Sequence, residues 1–305
     1  MRIVGTQKER LVMGFRIVVV NSRCKLECRL NYLVIRGETE RKIFLNEINT
    51  LIVQSTAVSL TAALLCELNK NNVKVIFCDE KCNPQSELIP YYGAHNSSKR
   101  CKQQFAWSTS TKRIVWDKIV VRKIENQAEL LLKTGFVDQS RMLSEYASQV
   151  TDGDVTNREG HAAKVYFNCI LPQNTTRRSG GFVNKCLDYG YAILLSAFNR
   201  EIVSCGYLTQ LGLFHENEFN PFNFSCDLME PLRPVVDELA ISLPTNDQSF
   251  KKKMANVLNF SAKICGKNTT LDLAIRQYTR SVIAALEQND VSLVCFPSDV
   301  AVENG

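Results

Sequence analysis

No apolar run in this 305-residue chain approaches the roughly 18–20 residues that a membrane span requires. A membrane protein is therefore not expected. The opening residues, Met1-Arg2-Ile3-Val4-Gly5-Thr6, lack the long apolar stretch of a signal peptide, so the cytoplasm is the expected compartment. Walker A, GxSxG and HExxH patterns are all missing, which removes the usual support for NTPase, α/β-hydrolase and zincin readings. There is no internal repeat and no low-complexity segment. Histidine is scarce, with three in all, and neither Cys169 nor Cys205 has one nearby in sequence to activate it as a nucleophile.

Cysteine, by contrast, is plentiful at twelve. Without a secretion signal, free thiols are the expected state. Cys24/Cys28 and Cys78/Cys82 have Cys-x₃-Cys spacing and raise the idea of a Cys₄ zinc site. The alternation of Leu26, Cys28 and Leu30 with Glu27, Arg29 and Asn31 reads instead as a half-buried strand. Residues four apart on a strand are separated by roughly 13 Å, too far to share one tetrahedral ion.

The net charge of +6 is unevenly placed. Residues 94–123 carry eight basic groups against Asp117 alone, whereas residues 124–305 carry 16 basic and 21 acidic groups. A basic stretch beside an acidic remainder suggests a polyanionic partner, with carboxylates held for another purpose.

The period of the apolar residues divides the chain. Strands are predicted over Phe15–Val20, Lys25–Leu30, Leu33–Arg36, Arg41–Leu45 and Thr50–Val53, then a helix over Ala57–Leu68 and a strand over Val73–Cys78. Pro84 and Pro90 close this region. From about residue 105 the period is helical. Trp116, Val120, Ile124, Ala128 and Leu131 share one face, with Lys118 and Arg122 nearly opposite. Phe182–Phe198 is apolar almost all round and reads as a central buried helix, and Leu271, Ile275, Tyr278, Val282 and Leu286 form a late amphipathic stripe. The expected class is α+β, with a β-rich domain over 13–93 and a larger all-α domain over 94–305. Residues 1–12 sit awkwardly before Met13-Gly14-Phe15 and read as an extension, with Met13 as an alternative start.

Two segments could carry chemistry. Glu159, Ala162, Ala163, Tyr166, Phe167 and Ile170 follow the i, i+3, i+4, i+7, i+8, i+11 pattern. The Glu159 carboxylate thus heads an apolar stripe and needs a partner: a cap, an arginine or a metal. Thr156-x-x-Glu159 also fits a capping box, in which Glu159 would merely close the helix start. The second segment, Phe214 to Pro234, mixes aromatics, amides and acids without period, as a functional loop does. It holds His215, and it holds Glu230 beside Pro231, a residue suited to a helix's first turn. Glu230 could simply complement the helix dipole there, with His215 a surface residue. Taken together, carboxylates and one imidazole suit Mg²⁺ or Mn²⁺, an ion able to polarise a phosphoryl oxygen. His161, two residues from Glu159, points elsewhere on the helix and reads as structural. His95 has no metal-ligand spacing.

Asn157-Arg158-Glu159-Gly160-His161-Ala162-Ala163, Leu187-Asp188-Tyr189-Gly190-Tyr191, Gly212-Leu213-Phe214-His215 and Asp227-Leu228-Met229-Glu230-Pro231-Leu232-Arg233-Pro234 occur in that order. They resemble the motifs of the CRISPR adaptation integrase family. Val75–Asp79 and Pro90–Ser98 resemble the form found in type II CRISPR systems. The likeness runs from about residue 13 to 290, and the tail from Ser292 to Gly305 has no match.

That resemblance implies a metal-dependent DNA endonuclease/integrase, with Glu159, His215 and Glu230 as its Mg²⁺ or Mn²⁺ ligands. It implies a homodimer through the β domain, and assembly with a second CRISPR adaptation protein. Double-stranded DNA is the implied substrate, inserted as short fragments at the repeat ends of a CRISPR array. Other type II CRISPR proteins are further candidate partners. Lys118, Arg122, Arg158, Tyr189 and Arg233 are the candidate DNA contacts, although Arg158 and Arg233 could orient carboxylates and Tyr189 could be a core aromatic. A divalent-metal nuclease without integration, or a non-catalytic DNA-binding scaffold, is the competing reading.

Overall fold

The structure, a computed structural model, describes residues 16–91, 94, 96–172, 175–177 and 179–302. The proposed extension over residues 1–12, the alternative start at Met13 and His95 lie outside these. The chain divides into two compact units, one ending at Leu88 and the other beginning at Ile89.

The first unit contains β1 (Arg16–Val20), β2 (Lys25–Arg29), β3 (Tyr32–Arg36), β4 (Glu40–Phe44), β5 (Ile48–Val53), β6 (Ser59–Leu60), α1 (Ala62–Lys70), β7 (Lys74–Cys78) and β8 (Pro84–Glu87). They make two four-stranded sheets, ordered β1-β5-β7-β8 and β4-β3-β2-β6. β2 and β3 join through Leu30 and Asn31, both at positive φ, as a two-residue turn matched to strand twist requires. Strands β1, β5 and β7 run parallel, and Leu26, Leu33, Leu51, Leu64, Leu68 and Val75 fill the core of this unit. The helix read from residue 57 begins later, because the Thr61 side chain accepts a hydrogen bond from Leu64 N at 3.3 Å and caps it there. Pro84 opens a strand instead of closing the region. β8 is an edge strand, where a residue without N–H is tolerated.

The second unit is built on α2 (Ser97–Phe105), α3 (Thr109–Lys133), α4 (Val137–Ser148), α5 (Arg158–Ile170), α6 (Phe182–Ser204), α7 (Asn223–Met229), α8 (Arg233–Ser242), α9 (Phe250–Ala255) and α10 (Leu271–Gln288). A 3-10 turn over Glu230–Leu232 links α7 to α8. α6 is the buried axis, and at Gly190 an added Cβ would come within 2.4 Å of Val236 Cγ1, so α8 lies directly on its backbone. The stripes read on α3 and α10 are buried as expected.

This unit is not all-α as expected, because it also holds a hairpin, β9 (Ser261–Ile264) and β10 (Lys267–Thr270), turning at Cys265 and Gly266, both at positive φ. The otherwise unmatched tail returns to it, bridging at Lys263 and Ser298. Cys265 and Cys295 form a disulfide there, so the expectation of free thiols fails for this pair: chain return brings their Cα atoms to 6.3 Å. Among the described residues, no helix is long and apolar enough to cross a membrane.

Candidate active site

The start of α5 decides what Glu159 is for. The capping box read at Thr156 does not form. Asp154 takes the helix's first free donors, accepting from Arg158 N at 2.7 Å and Glu159 N at 2.9 Å. Asn157 is the N-cap and accepts from Gly160 N. With the backbone donors satisfied by other side chains, the Glu159 carboxylate turns inward. Its Oε1 lies 2.5 Å from the Nζ of Lys123 on α3.

The same ammonium also pairs with Oε2 of Glu230. Glu230 is 4% exposed, and its other oxygen accepts from Arg233 Nε at 2.7 Å. Burial by itself would raise the carboxyl's pKa, but Arg233 and Lys123 outweigh it and hold Glu230 at about 2. For Lys123, burial disfavours the charge, yet Glu230 and Glu159 prevail and its pKa is raised. Glu230, Lys123 and Arg233 are therefore ionised at neutral pH. Asn126 Nδ2 donates to Pro231 O at 2.7 Å, fastening α3 to the turn that carries Glu230.

His215 is set by Asp227, a residue with no exposed surface. Asp227 accepts from the backbone N–H groups of Leu213, Phe214 and His215, and its Oδ1 lies 2.5 Å from His215 Nδ1. The tight loop needs Gly212, where a Cβ would meet His215 O at 2.4 Å. The hydrogen bond to Asp227 raises the imidazole pKa against the effect of burial, and the fields of Glu230 and Glu159 add to it. Phe214 stacks on Trp116, ring centroids 4.7 Å apart, and His215 meets the same indole edge-on. With Nδ1 bound to Asp227, Nε2 is the ring nitrogen that could serve a metal.

The remaining candidates separate. Arg233 is committed to Glu230 and lies over the Tyr191 ring, which makes it an orienting group. Arg158 lies over Tyr146. Tyr189, a candidate DNA contact, is 2% exposed and packs edge-on to Phe250; a ring on the buried axis is not presented to a duplex. Lys118 is exposed, whereas Arg122 pairs with Glu125 and lies over Phe296 of the returning tail. His161 is exposed beside Tyr146. An open cleft of about 770 Å³ adjoins His215, lined in part by Trp107, Lys112, Gln210 and Phe219.

Two residues central to this arrangement escaped the sequence reading, Lys123 and Asp227. Lys123 was detectable, since it falls among Ile119, Val120, Ile124 and Gln127 on the buried face of α3. A charge on an apolar stripe is the same signal that marked Glu159. Asp227 had no such signal, because its partners are backbone groups of another loop.

Among the described residues, no three histidine, cysteine or carboxylate groups are assembled around an ion-sized space. Lys123 fills the position between the two glutamates. The donor set nonetheless fits a divalent cation: two carboxylates already converge on one positive charge, and an imidazole lies within their electrostatic reach.

A strand-rich unit followed by a helical one is a fold shared with solved structures. A casposase bound to integration product matches with TM-score 0.72 and 19% identity, over 92% of each chain. A chain of a Cas6-RT-Cas1–Cas2 complex matches with TM-score 0.70 and 19% identity, covering all of this chain and 38% of that larger one. The CRISPR-associated endonuclease Cas1 of Neisseria meningitidis serogroup C (strain 8013) is 35% identical over 232 residues, 76% of either chain. The family profile for CRISPR associated protein Cas1 matches residues 17–264, and the chain belongs to that family.

Proposed function

We propose that the chain is a divalent-metal-dependent DNA integrase of CRISPR adaptation, which inserts short foreign DNA fragments into a CRISPR array by transesterification. The observation that carries this reading is the convergence of Glu159 and Glu230 on one buried cation, beside a histidine fixed by Asp227. The relatives add weight, one being named a CRISPR-associated endonuclease and another a casposase bound to integration product.

Glu159, Glu230 and His215 Nε2 would hold Mg²⁺ or Mn²⁺, which supplies charge stabilisation at the phosphoryl oxygens. Asp227 holds the ring so that Nε2 keeps its lone pair directed at the site. Arg233 fixes the rotamer of Glu230 through Oε1. Trp116 and Phe214 back the loop and keep water from that side of the imidazole. Lys118 on the outer face of α3 would meet the phosphates of double-stranded DNA, adding affinity without sequence preference.

The partners follow from the same reading. A homodimer would form through residues 13–93, whose two sheets end in the edges β1, β8, β4 and β6. Leu30, 93% exposed at the β2–β3 turn, adds an apolar tip. A second CRISPR adaptation protein would join the dimer; one structural relative is named a Cas6-RT-Cas1–Cas2 complex. Other type II CRISPR proteins are further candidates, and the setting is the cytoplasm.

The test compares a duplex donor bearing free 3′-OH ends with one whose ends are blocked, each with and without chelator. Joining that requires both the 3′-OH and the metal is expected. Cleavage that persists with blocked ends would mark a nuclease instead, and DNA binding without either activity would mark a scaffold.

A further inference from the structure

We propose that Lys123 is a built-in counter-ion that holds the two glutamates while the site is metal-free, and that an incoming divalent cation must displace it. This inference rests on the divalent-metal reading given above.

Lys123 is 7% exposed, and its ammonium contacts Glu159 on α5 and Glu230 on the turn before α8. Both oxygens of Glu230 are thereby taken, Oε1 by Arg233 and Oε2 by Lys123. Two carboxylates brought together under burial repel each other unless a cation lies between them. The fold supplies that cation from its own sequence.

Which of the two cations can leave is a matter of side-chain chemistry. Arg233 holds Glu230 Oε1 through Nε, and its guanidinium is held over the Tyr191 ring. Lys123 carries a point charge on a flexible four-carbon stem, which can withdraw by rotation about single bonds. It has somewhere to go. A cavity of about 160 Å³ is lined by Lys123 together with Gln127, Tyr191 and the carboxylate of Asp237, which offsets the guanidinium groups of Arg177 and Arg233 on the same wall. A divalent ion seated on the same carboxylates would repel the ammonium towards that space. Lys123 is accordingly a positioning residue. It keeps the carboxylates aligned before loading, and it weakens metal affinity by competing for the same oxygens.

The experiment is Mn²⁺ titration of the full chain by calorimetry, with Lys123→Met, Lys123→Arg and wild type, each checked for folding by circular dichroism. Methionine keeps an unbranched stem and removes the charge. Lys123→Met is expected to bind Mn²⁺ on the order of tenfold or more tightly than wild type, and to gain more thermal stability on loading. Lys123→Arg should show no tightening. A folded Lys123→Met protein with unchanged or weaker Mn²⁺ affinity overturns the counter-ion role while leaving the metal reading intact. Absence of Mn²⁺ binding in every protein overturns both.

If Lys123→Met does not fold, the wild type alone decides the matter. Amine acylation followed by mass spectrometry should find Lys123 protected without Mn²⁺ and several-fold more reactive with it. An unchanged rate at saturating Mn²⁺ overturns the proposal.

Discussion

Each unit of this chain buries a lysine, for different ends. Lys74 on β7 is 3% exposed and pairs with Glu87 on β8, the adjacent antiparallel strand. The sheet itself delivers that partner. Lys123 draws on segments distant in sequence, Glu159 from 36 residues away and Glu230 from another helix junction, with Arg233 and His215 close by. Breaking either arrangement would be costly, because each leaves a charge stranded in the interior. What separates them is reach. The sheet pair joins two residues of adjacent strands, whereas the helical site gathers several ionisable groups from distant segments.

The comparison can be broken most forcefully at Lys74. Lys74→Met should cost about 3–5 kcal/mol of stability by removing the buried cation paired with Glu87, with most of it restored by Lys74→Met/Glu87→Leu. Denaturant unfolding with and without Mn²⁺ should give the same loss. If Mn²⁺ restored the single variant, Lys74 would not be merely structural.

Next in size is Asp237, which accepts from Tyr166 OH at 2.7 Å and also from Tyr191 OH. Burial pushes its carboxyl up to about 6 from an ordinary 3.8, against the opposing pull of the two tyrosines and Arg233. The folded pKa lies above the unfolded one, so the folded state holds more protons between about pH 4 and 6 and loses stability as pH rises through that window. Asp237→Asn should therefore gain on wild type by up to about 3 kcal/mol between pH 4 and 7.5. Parallel stability curves for the two proteins would refute the assignment.

Asp227→Asn should lower strand joining by about 10–100-fold, the usual effect of losing the group that orients a ligating histidine. Far-ultraviolet circular dichroism should be unchanged. Full activity in this variant would remove His215 from the site. The smallest effect belongs to the outer face of α3. Lys118→Ala should reduce the log–log salt slope of duplex binding by about 0.9. Arg122→Ala should change it less, because Glu125 and Phe296 already engage that guanidinium. Superimposable titrations for Lys118→Ala would return this face to plain solvent.

The helical unit was the more legible in sequence, since long amphipathic stripes such as Trp116 to Leu131 report burial directly. The strands of the first unit were nearly as clear, apart from β6 and β8. Both are short, and β8 opens on a proline that suggests a loop. The site was legible where a charge interrupts a stripe, as at Glu159, and through the order of the motifs around His215 and Glu230. It was illegible where the partner is backbone. Nothing local reveals that Asp154 frees Glu159 by taking the cap, or that Asp227 gathers three N–H groups from a loop upstream of it. The disulfide was hidden for a similar reason: only the return of the tail to β9 brings Cys295 to Cys265.

The stacking of Trp116 on Phe214 has an optical consequence. The chain has two tryptophans, Trp107 and Trp116, and both lie in the helical unit. Excitation at the red edge of the aromatic band therefore leaves the strand-rich unit dark. Trp107 is packed against Tyr207 and Phe224, while Trp116 meets the His215 imidazole in a T-shaped contact. A change in that ring's protonation or ligation alters the quencher beside the indole. The protein thus carries an unlabelled fluorescent gauge of its own site, readable in a stopped-flow instrument.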